Sequence, residues 1–249
     1  FILMTRYALT IEYDGTPFVG WQRQANGSSV QQSLEEALKA LCGEQIIVHG
    51  AGRTDAGVHA IGQVAHIDLS KNWQTDRLRD ALNAHLKPDP IAILQVREVN
   101  TDFEARFSAI RRHYRYIIDN RRAPLTLALQ RAWHVKWPLS AERMHHAAQQ
   151  LIGRHDFTTF RASECQAHSP IRTLERCDVR RLGDRIEIDV SARSFLHSQV
   201  RSMAGSLEHV GSGKWTVEEF VSALESCDRR RCGQVAPPHA LYLMAVDYP

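Results

Sequence analysis

From Arg6 onward the chain alternates. Tyr7, Leu9, Ile11 and Tyr13 share one face of the segment, and Ala8, Thr10 and Glu12 take the other. That is the period-two pattern of a half-buried strand. A helical stripe follows on Val30, Leu34, Ala37, Leu38 and Leu41, with Ser29 and Gln32 as a capping box and Gly43 as the stop. Strands are expected at Gln45 to His49 and Gln63 to Leu69. A second helix runs from Asp76 to Leu86 on Leu78, Ala81 and Leu82, and Ile91 to Val99 is a fourth strand. The order β-α-β-β-α-β is ferredoxin-like and places the chain in the α+β class.

The same order returns in the second half. His113 to Asp119 reads as a strand, and Ser140 to Leu151 as a helix with Ala141, Met144, Ala147, Ala148 and Leu151 inward. Arg172 to Leu182 and Arg185 to Ala192 form a hairpin turning at Gly183-Asp184. A helix from Phe195 to Val210 carries Leu196, Val200, Met203, Ala204 and Leu207 on one side, and Thr216 with Glu219 caps another. Leu241 to Tyr248 is a closing strand. The repeat is one of topology, with insertions at 121–138 and 157–170. The expected architecture is two ferredoxin-like (RRM-like) halves, residues 4–105 and 106–249, with antiparallel sheets side by side and a cleft between them, where ligands commonly bind. Met4 reads as the natural start, so Phe1 to Leu3 read as a remnant ahead of it.

Composition sets the class. Hydrophobic residues make up 43% and charged residues 24%, as in ordinary soluble globular proteins. No apolar run approaches the ~20 residues of a membrane span, and no secretory leader is visible. The cysteines number five, an odd count without a C-x-x-C pair, which points to reduced thiols and a cytoplasmic setting. Net charge is only +3, but arginines cluster at Arg111-Arg112 with Arg115, at Arg121-Arg122, at Arg180-Arg181 and at Arg229 to Arg231. Such clusters either neutralise phosphates or form solvated faces. The 13 histidines show no metal-binding spacing, His145 and His146 being adjacent. No metal and no cofactor are expected.

Chemistry concentrates between the second and third strands, at Gly50-Ala51-Gly52-Arg53-Thr54-Asp55-Ala56-Gly57-Val58-His59-Ala60. Glycine allows close approach of a ligand, and loops on rigid scaffolds are where chemistry tends to sit. Asp55 reads equally as the head of an Asx-turn, and Arg53 as a solvated charge. In the loop after the first strand, Trp21, Gln22, Arg23 and Gln24 offer stacking and hydrogen bonds to a partner, or Phe18 and Trp21 tuck it onto the core. Arg111-Arg112-His113-Tyr114-Arg115-Tyr116 interleaves Arg with Tyr, a stacking-and-phosphate pattern or one face of a core strand. Arg201 follows Val200 beside a buried stripe, where an Arg either pairs with a carboxylate or snorkels to solvent.

These motifs resemble those of the TruA family of tRNA pseudouridine synthases. Gly52 to His59 is similar to its signature, in which the Asp, here Asp55, is the catalytic carboxylate. Arg106 to Tyr116 resembles its second motif, whose Tyr, here Tyr114, stacks on the target uracil. Ser194 to Arg201 resembles its third, whose Arg, here Arg201, pairs with the catalytic Asp. Ala236 to Leu241 resembles a late segment whose Leu, here Leu241, covers the base, with Ala240 where the family usually has Gly. The resemblance implies isomerisation of uridine to pseudouridine at positions 38, 39 and 40 of the tRNA anticodon stem-loop, without a cofactor, by a homodimer. It assigns substrate contacts to Arg53, Tyr114 and Leu241, and places Arg23, Gln24, Arg111 and Arg112 among the RNA-facing residues. One rival is a non-catalytic tandem RRM-like module, against which stands the lack of a Gly-Phe-x-Phe strand. Another is a metal-dependent hydrolase built on Asp55, with only His59 nearby in sequence.

Overall fold

A computed structural model describes residues 4–249; Phe1 to Leu3, expected to precede the natural start, lie outside the described residues. Ten strands and five α-helices make a mixed α+β chain among the described residues. The chain divides into two compact units, one running to Ile110 and regaining Tyr242–Pro249, the other Arg111–Leu241. The boundary expected after residue 105 thus falls after Ile110, and the closing residues cluster with the first unit. The reason is main-chain pairing: Tyr242 and Leu243 run parallel to His59 and Ala60, and the Ile110 N–H donates to the Asp247 carbonyl at 2.9 Å.

In the first unit β1 (Thr5–Tyr13) lies antiparallel between β3 (His59–Leu69) and β4 (Ile91–Val99). β2 (His49–Gly50) and β10 (Leu241–Asp247) lie against the edge of β3 away from β1. Helices α1 (Val30–Cys42) and α2 (Thr75–His85) pack together, and α2 packs on β4. Tyr7, Leu9 and Ile11 of the strand and Leu34, Leu38, Leu78 and Leu82 of the helices are fully buried, the stripes the periodicity picks out. Ser29 caps α1 by accepting from the Gln32 N–H, and Gly43 ends it in the left-handed region (φ 74). The Gln32 side chain turns instead to Glu36, so only half of the capping box forms.

The strand expected at Gln45 to His49 is not there beyond His49. The Val48 N–H donates to Glu35 and its carbonyl accepts from Gln31. Side chains of α1 therefore take the bonds that a ladder would need, while Ile46 and Val48 still bury.

In the second unit β5 (Arg111–Asn120) is antiparallel to β9 (Arg185–Ala192), β9 to β8 (Ile171–Leu182), and β8 to β7 (Gly153–Asp156); β6 (Trp133–Val135) runs parallel to β5. The strands β6 and β7 are too short to show alternation, and sequence reasoning missed them. Helices α3 (Ala141–Gln149), α4 (Gln199–Ser212) and α5 (Val217–Glu225) complete the unit. α5 carries the full capping box of Thr216 and Glu219. α4 starts later than Phe195 because Ser198 is left-handed (φ 56) and the Leu196 N–H turns to Gln199 Oε1 at 2.8 Å.

The β5–β9–β8 register also redefines part of the basic surface. It sets Arg115 opposite Asp189 and Arg180 opposite Glu187, and both arginines form ion pairs with those carboxylates at 2.7 and 2.6 Å. Arg111 pairs with Glu175, and Arg230 with Asp228 at 2.8 Å. Three of the clustered arginines, Arg111, Arg115 and Arg180, are thus paired with carboxylates across strands.

Buried His66 on β3 holds the segment after β4. Its Nδ1 accepts the Ala105 N–H at 3.1 Å, its Nε2 lies 3.3 Å from Glu104 Oε1, and its ring stacks on His49 at 4.8 Å. Burial lowers its pKa below the ordinary 6.5, with Glu104 and Asp68 opposing and Arg6 and His49 reinforcing the shift. The unfolded chain then binds the proton more readily, so this contribution to stability is full above pH ~6.5 and is lost as pH falls below it. Urea midpoints taken between pH 7.5 and 5 should fall more for wild type than for His66→Gln. Parallel profiles would remove His66 as the cause.

Candidate active site

Asp55 sits half-buried on the loop between β2 and β3, with Arg53 exposed beside it. Main-chain and buried side-chain bonds fix the loop. The Ala51 N–H donates to the Val64 carbonyl at 2.7 Å, Gln63 Nε2 to the Gly52 carbonyl at 2.9 Å, and the Trp21 N–H to the Thr54 carbonyl at 3.0 Å. Thr54 Oγ1 bonds Tyr13 Oη at 2.8 Å in the interior. Burial pushes the Tyr13 phenol up to about 12, with Thr54 and Gln63 opposing, so it stays a neutral hydroxyl. The turn after Asp55 is closed by the main chain, Val58 N–H to Asp55 carbonyl at 3.1 Å. Below the loop, His59 Nδ1 lies 2.9 Å from the Gly15 N–H and 3.1 Å from Asp14, and its ring packs on Tyr242. His59 is thus buried as part of the support.

The loop after β1 is tucked onto the core, one of the two readings of the sequence. Phe18 and Trp21 are buried and bind it to the core, while Arg23 and Gln24 are exposed. Arg23 pairs with Glu35 at 3.1 Å, and Gln24 Nε2 reaches the Val19 carbonyl at 3.4 Å. Gly20 is where this loop meets the Asp55 loop. Its φ is +118, and a β-carbon there would lie 2.5 Å from the Thr54 carbonyl oxygen, so only glycine fits.

In the second unit Tyr114 is half-buried on β5, edge-on to Phe195 with ring centroids 5.1 Å apart. Tyr116 shares its face but is fully buried, donating to the Pro237 carbonyl at 2.8 Å. Burial pushes the Tyr116 phenol well up, with the Arg201 charge acting against it. Arg201 on α4 is half-buried; its Nε donates to the Ala236 carbonyl at 2.9 Å, and its own carbonyl accepts the Ala236 N–H at 3.1 Å. Gly205 permits that contact, since a β-carbon would stand 1.7 Å from the Gln234 carbonyl oxygen. Pro238–Ala240 form a 3-10 turn leading into buried Leu241. Positive φ at non-glycine residues is confined, among the described residues, to Gln130, Ser198 and Cys227. Ala240 therefore meets no backbone strain in the place where the family usually has Gly. Arg112 reaches the Arg193 carbonyl at 2.5 Å.

The supporting roles of Tyr13, Gly20, Phe195 and Ala236 were not read from the sequence, although Tyr13 lies in the alternating strand and Phe195 and Ala236 lie within the motifs. Each acts through a neighbour far along the chain, and no local pattern marks that contact.

Among the described residues one group, His49, His66 and Glu104, brings metal-ligating atoms within 4.8 Å of one another. The Ala105 N–H on His66 Nδ1 places the neutral ring's proton on Nε2, facing Glu104. Of the three, His66 has both ring nitrogens engaged, by the Ala105 N–H and beside Glu104 at 3.3 Å.

The first unit presents a carboxylate on a rigid loop, and the second a half-buried tyrosine and a half-buried arginine on an α+β frame. The profile of the tRNA pseudouridine synthase family matches residues 9–108 and 147–249. The chain is 66% identical to tRNA pseudouridine synthase A of Methylocella silvestris over 245 residues, covering 98% of this chain and 99% of that protein. It is 65% identical to the protein of that name from Beijerinckia indica over 246 residues, covering 99% and 95%, and 60% identical to that from Brucella ovis over 247 residues, covering 98% of each. The chain belongs to the tRNA pseudouridine synthase family.

Proposed function

We propose that this protein isomerises uridine to pseudouridine in tRNA, at positions 38, 39 and 40 of the anticodon stem-loop, as a cytoplasmic homodimer. The observation that carries this is similarity over nearly the whole chain to proteins named tRNA pseudouridine synthase A. The rigidly held Asp55 loop agrees with it. No helix of the described residues is long and apolar enough to cross a membrane.

The reaction breaks the N1–C1′ bond, turns the uracil, and joins C5 to C1′; C5 gives up its hydrogen as a proton and N1 gains one. Atoms balance without a redox partner. Residues 4–105 supply Asp55, and residues 106–249 supply Tyr114 and Arg201. Asp55 attacks C1′ or C6, or stabilises a glycal intermediate; a covalent route splits one hard step into two. Arg201 serves as its ion-pair partner. Tyr114 stacks on the uracil, Leu241 covers it, and Arg53 meets backbone phosphate or fills the vacated space. Arg23, Gln24, Arg111 and Arg112 contact the RNA. Taking the base out of its stack costs roughly a few kcal/mol, offset by these contacts.

The test is incubation with an unmodified tRNA transcript in EDTA, with pseudouridine mapped by carbodiimide modification. Pseudouridine at 38–40 is expected. Binding without conversion would favour an RNA-binding module, and a need for added metal would favour a hydrolytic site.

Tyr114→Phe keeps the ring against Phe195 and removes only the hydroxyl. Retained tRNA affinity with a reduced single-turnover rate would assign the hydroxyl a proton-transfer role; such roles contribute about 10²–10⁴-fold. Tyr114→Ala removes the platform and should be worse in both measures. If the Ala variant matched wild type, Tyr114 would leave the site.

A further inference from the structure

An open cavity of about 620 Å³ in the second unit lies among Trp137, Pro138, Leu139, Arg143, Gly211 and Lys214. We propose that it is an accessory RNA subsite, which takes one unpaired nucleotide of the tRNA with the base on Trp137 and the phosphates at Arg143 and Lys214. The inference rests on the reading of tRNA as substrate. None of the motifs above includes these residues.

The cavity is of a size that holds a small ligand, and its parts are fixed. Trp137 is 46% exposed, unusual for so large an aromatic side chain, yet its indole is held in place. Its Nε1–H donates at 2.6 Å to Glu208, which is wholly buried and accepts a second bond from Gln234 at 3.0 Å. The backbone is pinned as well. Asn120 donates to the Trp137 carbonyl at 2.7 Å and accepts from the Leu139 N–H at 3.2 Å, and the Ser140 N–H donates to the Gly211 carbonyl at 2.9 Å. An indole edge satisfied by a buried carboxylate, with the ring left in solvent, is a rigid stacking surface.

Charge complementarity names the occupant. Lys214 lies over the ring, 5.2 Å from its centroid, and is 53% exposed. Its flexible stem lets it swing aside to a phosphate while a base takes the ring. Arg143 is exposed on the first turn of α3, and Lys136 is exposed beside Trp137. Arg181 borders the same wall, donating to the Leu139 carbonyl at 2.8 Å. On the acidic side stand exposed Glu142, and Glu208, which the indole, Gln234 and nearby Lys214 already engage. An aromatic face ringed by cations is the pattern of single-stranded nucleic-acid sites, where bases stack and the backbone meets positive charge. An acidic peptide would use the cations and leave the indole idle.

The experiment measures affinity for an unmodified tRNA transcript across a salt series, together with tritium release from C5-labelled uridine at saturating tRNA. Trp137→Ala should raise the Kd about tenfold, while Trp137→Phe, which keeps a ring, should recover most of it. Lys214→Ala and Arg143→Ala should each lower the salt slope by about one. Rates at saturation should stay at the wild-type value. If Trp137→Ala fails to fold for want of the Glu208 bond, the two exposed cations carry the test alone. Unchanged Kd and slope in both would overturn the proposal. So would a shift in oligomeric state at unchanged tRNA affinity, which would assign the surface to contact between copies. A wild-type protein that made no pseudouridine would sink the tRNA reading itself. Wild-type conversion with indifferent variants would sink only the subsite.

Discussion

Asp55→Ala is expected to abolish tritium release from tRNA labelled at uridine C5. That hydrogen departs only when C5 becomes the glycosidic carbon, so the assay reads the isomerisation and nothing earlier. Loss of a residue that acts at the reacting atoms typically costs about 10⁴-fold or more. Stability should hardly move. The carboxylate is half-exposed, and the turn after it is closed by the Val58 N–H on the Asp55 carbonyl, a bond any side chain leaves intact. Affinity for tRNA should also hold, because the phosphate contacts are assigned elsewhere. Asp55→Asn keeps the volume and removes the charge. It must be run beside the Ala variant, since deamidation restores Asp and gives false residual activity. An Ala variant that released tritium at a rate near wild type would eliminate Asp55 as the catalytic residue.

The candidacy of Asp55 was readable from the sequence because its residue types and its punctuation are local. Three glycines, a carboxylate and a guanidinium within a few residues single out this loop, while leaving an Asx-turn as the other reading. The strands and helices with clean alternation or clean stripes were equally legible: β1, β4, α1 and α5 fall where their periodicity puts them. Failures arose where tertiary bonds replaced local ones. Residues 45–48 have the apolar pattern of a strand, but Val48 spends its backbone groups on Gln31 and Glu35. The start of α4 slipped because Gln199 turns back on Leu196 and Ser198 takes a left-handed angle.

Arginine clusters were the least legible feature. Arg115 and Arg180 look like free positive charge in sequence, yet strand register delivers Asp189 and Glu187 to them. These ion pairs join exposed or half-exposed guanidiniums to buried carboxylates, Glu187 and Asp189 each being 7% exposed. Their consequence here is for binding, since a guanidinium with a carboxylate beside it contributes less to a phosphate field. Trp137 shows the converse. Its sequence neighbourhood is unremarkable, and only the fold reveals that its indole is anchored by a buried carboxylate while its ring faces solvent.

Gly20→Ala is expected to damage both fold and catalysis without touching any group that does chemistry. At φ +118 an alanine is strained before any contact is counted, and its β-carbon would meet the Thr54 carbonyl oxygen at 2.5 Å, the Asp55 carbonyl carbon at 3.2 Å and the Ala56 nitrogen at 3.3 Å. All three are main-chain atoms, so no side chain can swing away. Gly20 itself is held from the other side, its carbonyl accepting the Val30 N–H at 3.2 Å while the next residue, Trp21, donates to Thr54. The segment that yields is therefore Thr54 to Ala56, and it carries the carboxylate. Strain and overpacking together should cost about 2–5 kcal/mol. A displacement of about 1 Å at a catalytic group lowers turnover about 10²-fold. Gly52→Ala is the stability control, being on the same loop at a non-positive φ with nothing within 4 Å of its added carbon; its melting temperature should match wild type. Turnover of Gly20→Ala must be measured well below its melting point, so that the folded protein is what is assayed. With tRNA affinity near wild type, a lowered melting temperature and a lowered single-turnover rate would place the coupling between the two loops at Gly20. A Gly20→Ala protein that melted and turned over like wild type would show that the Asp55 loop does not depend on this contact.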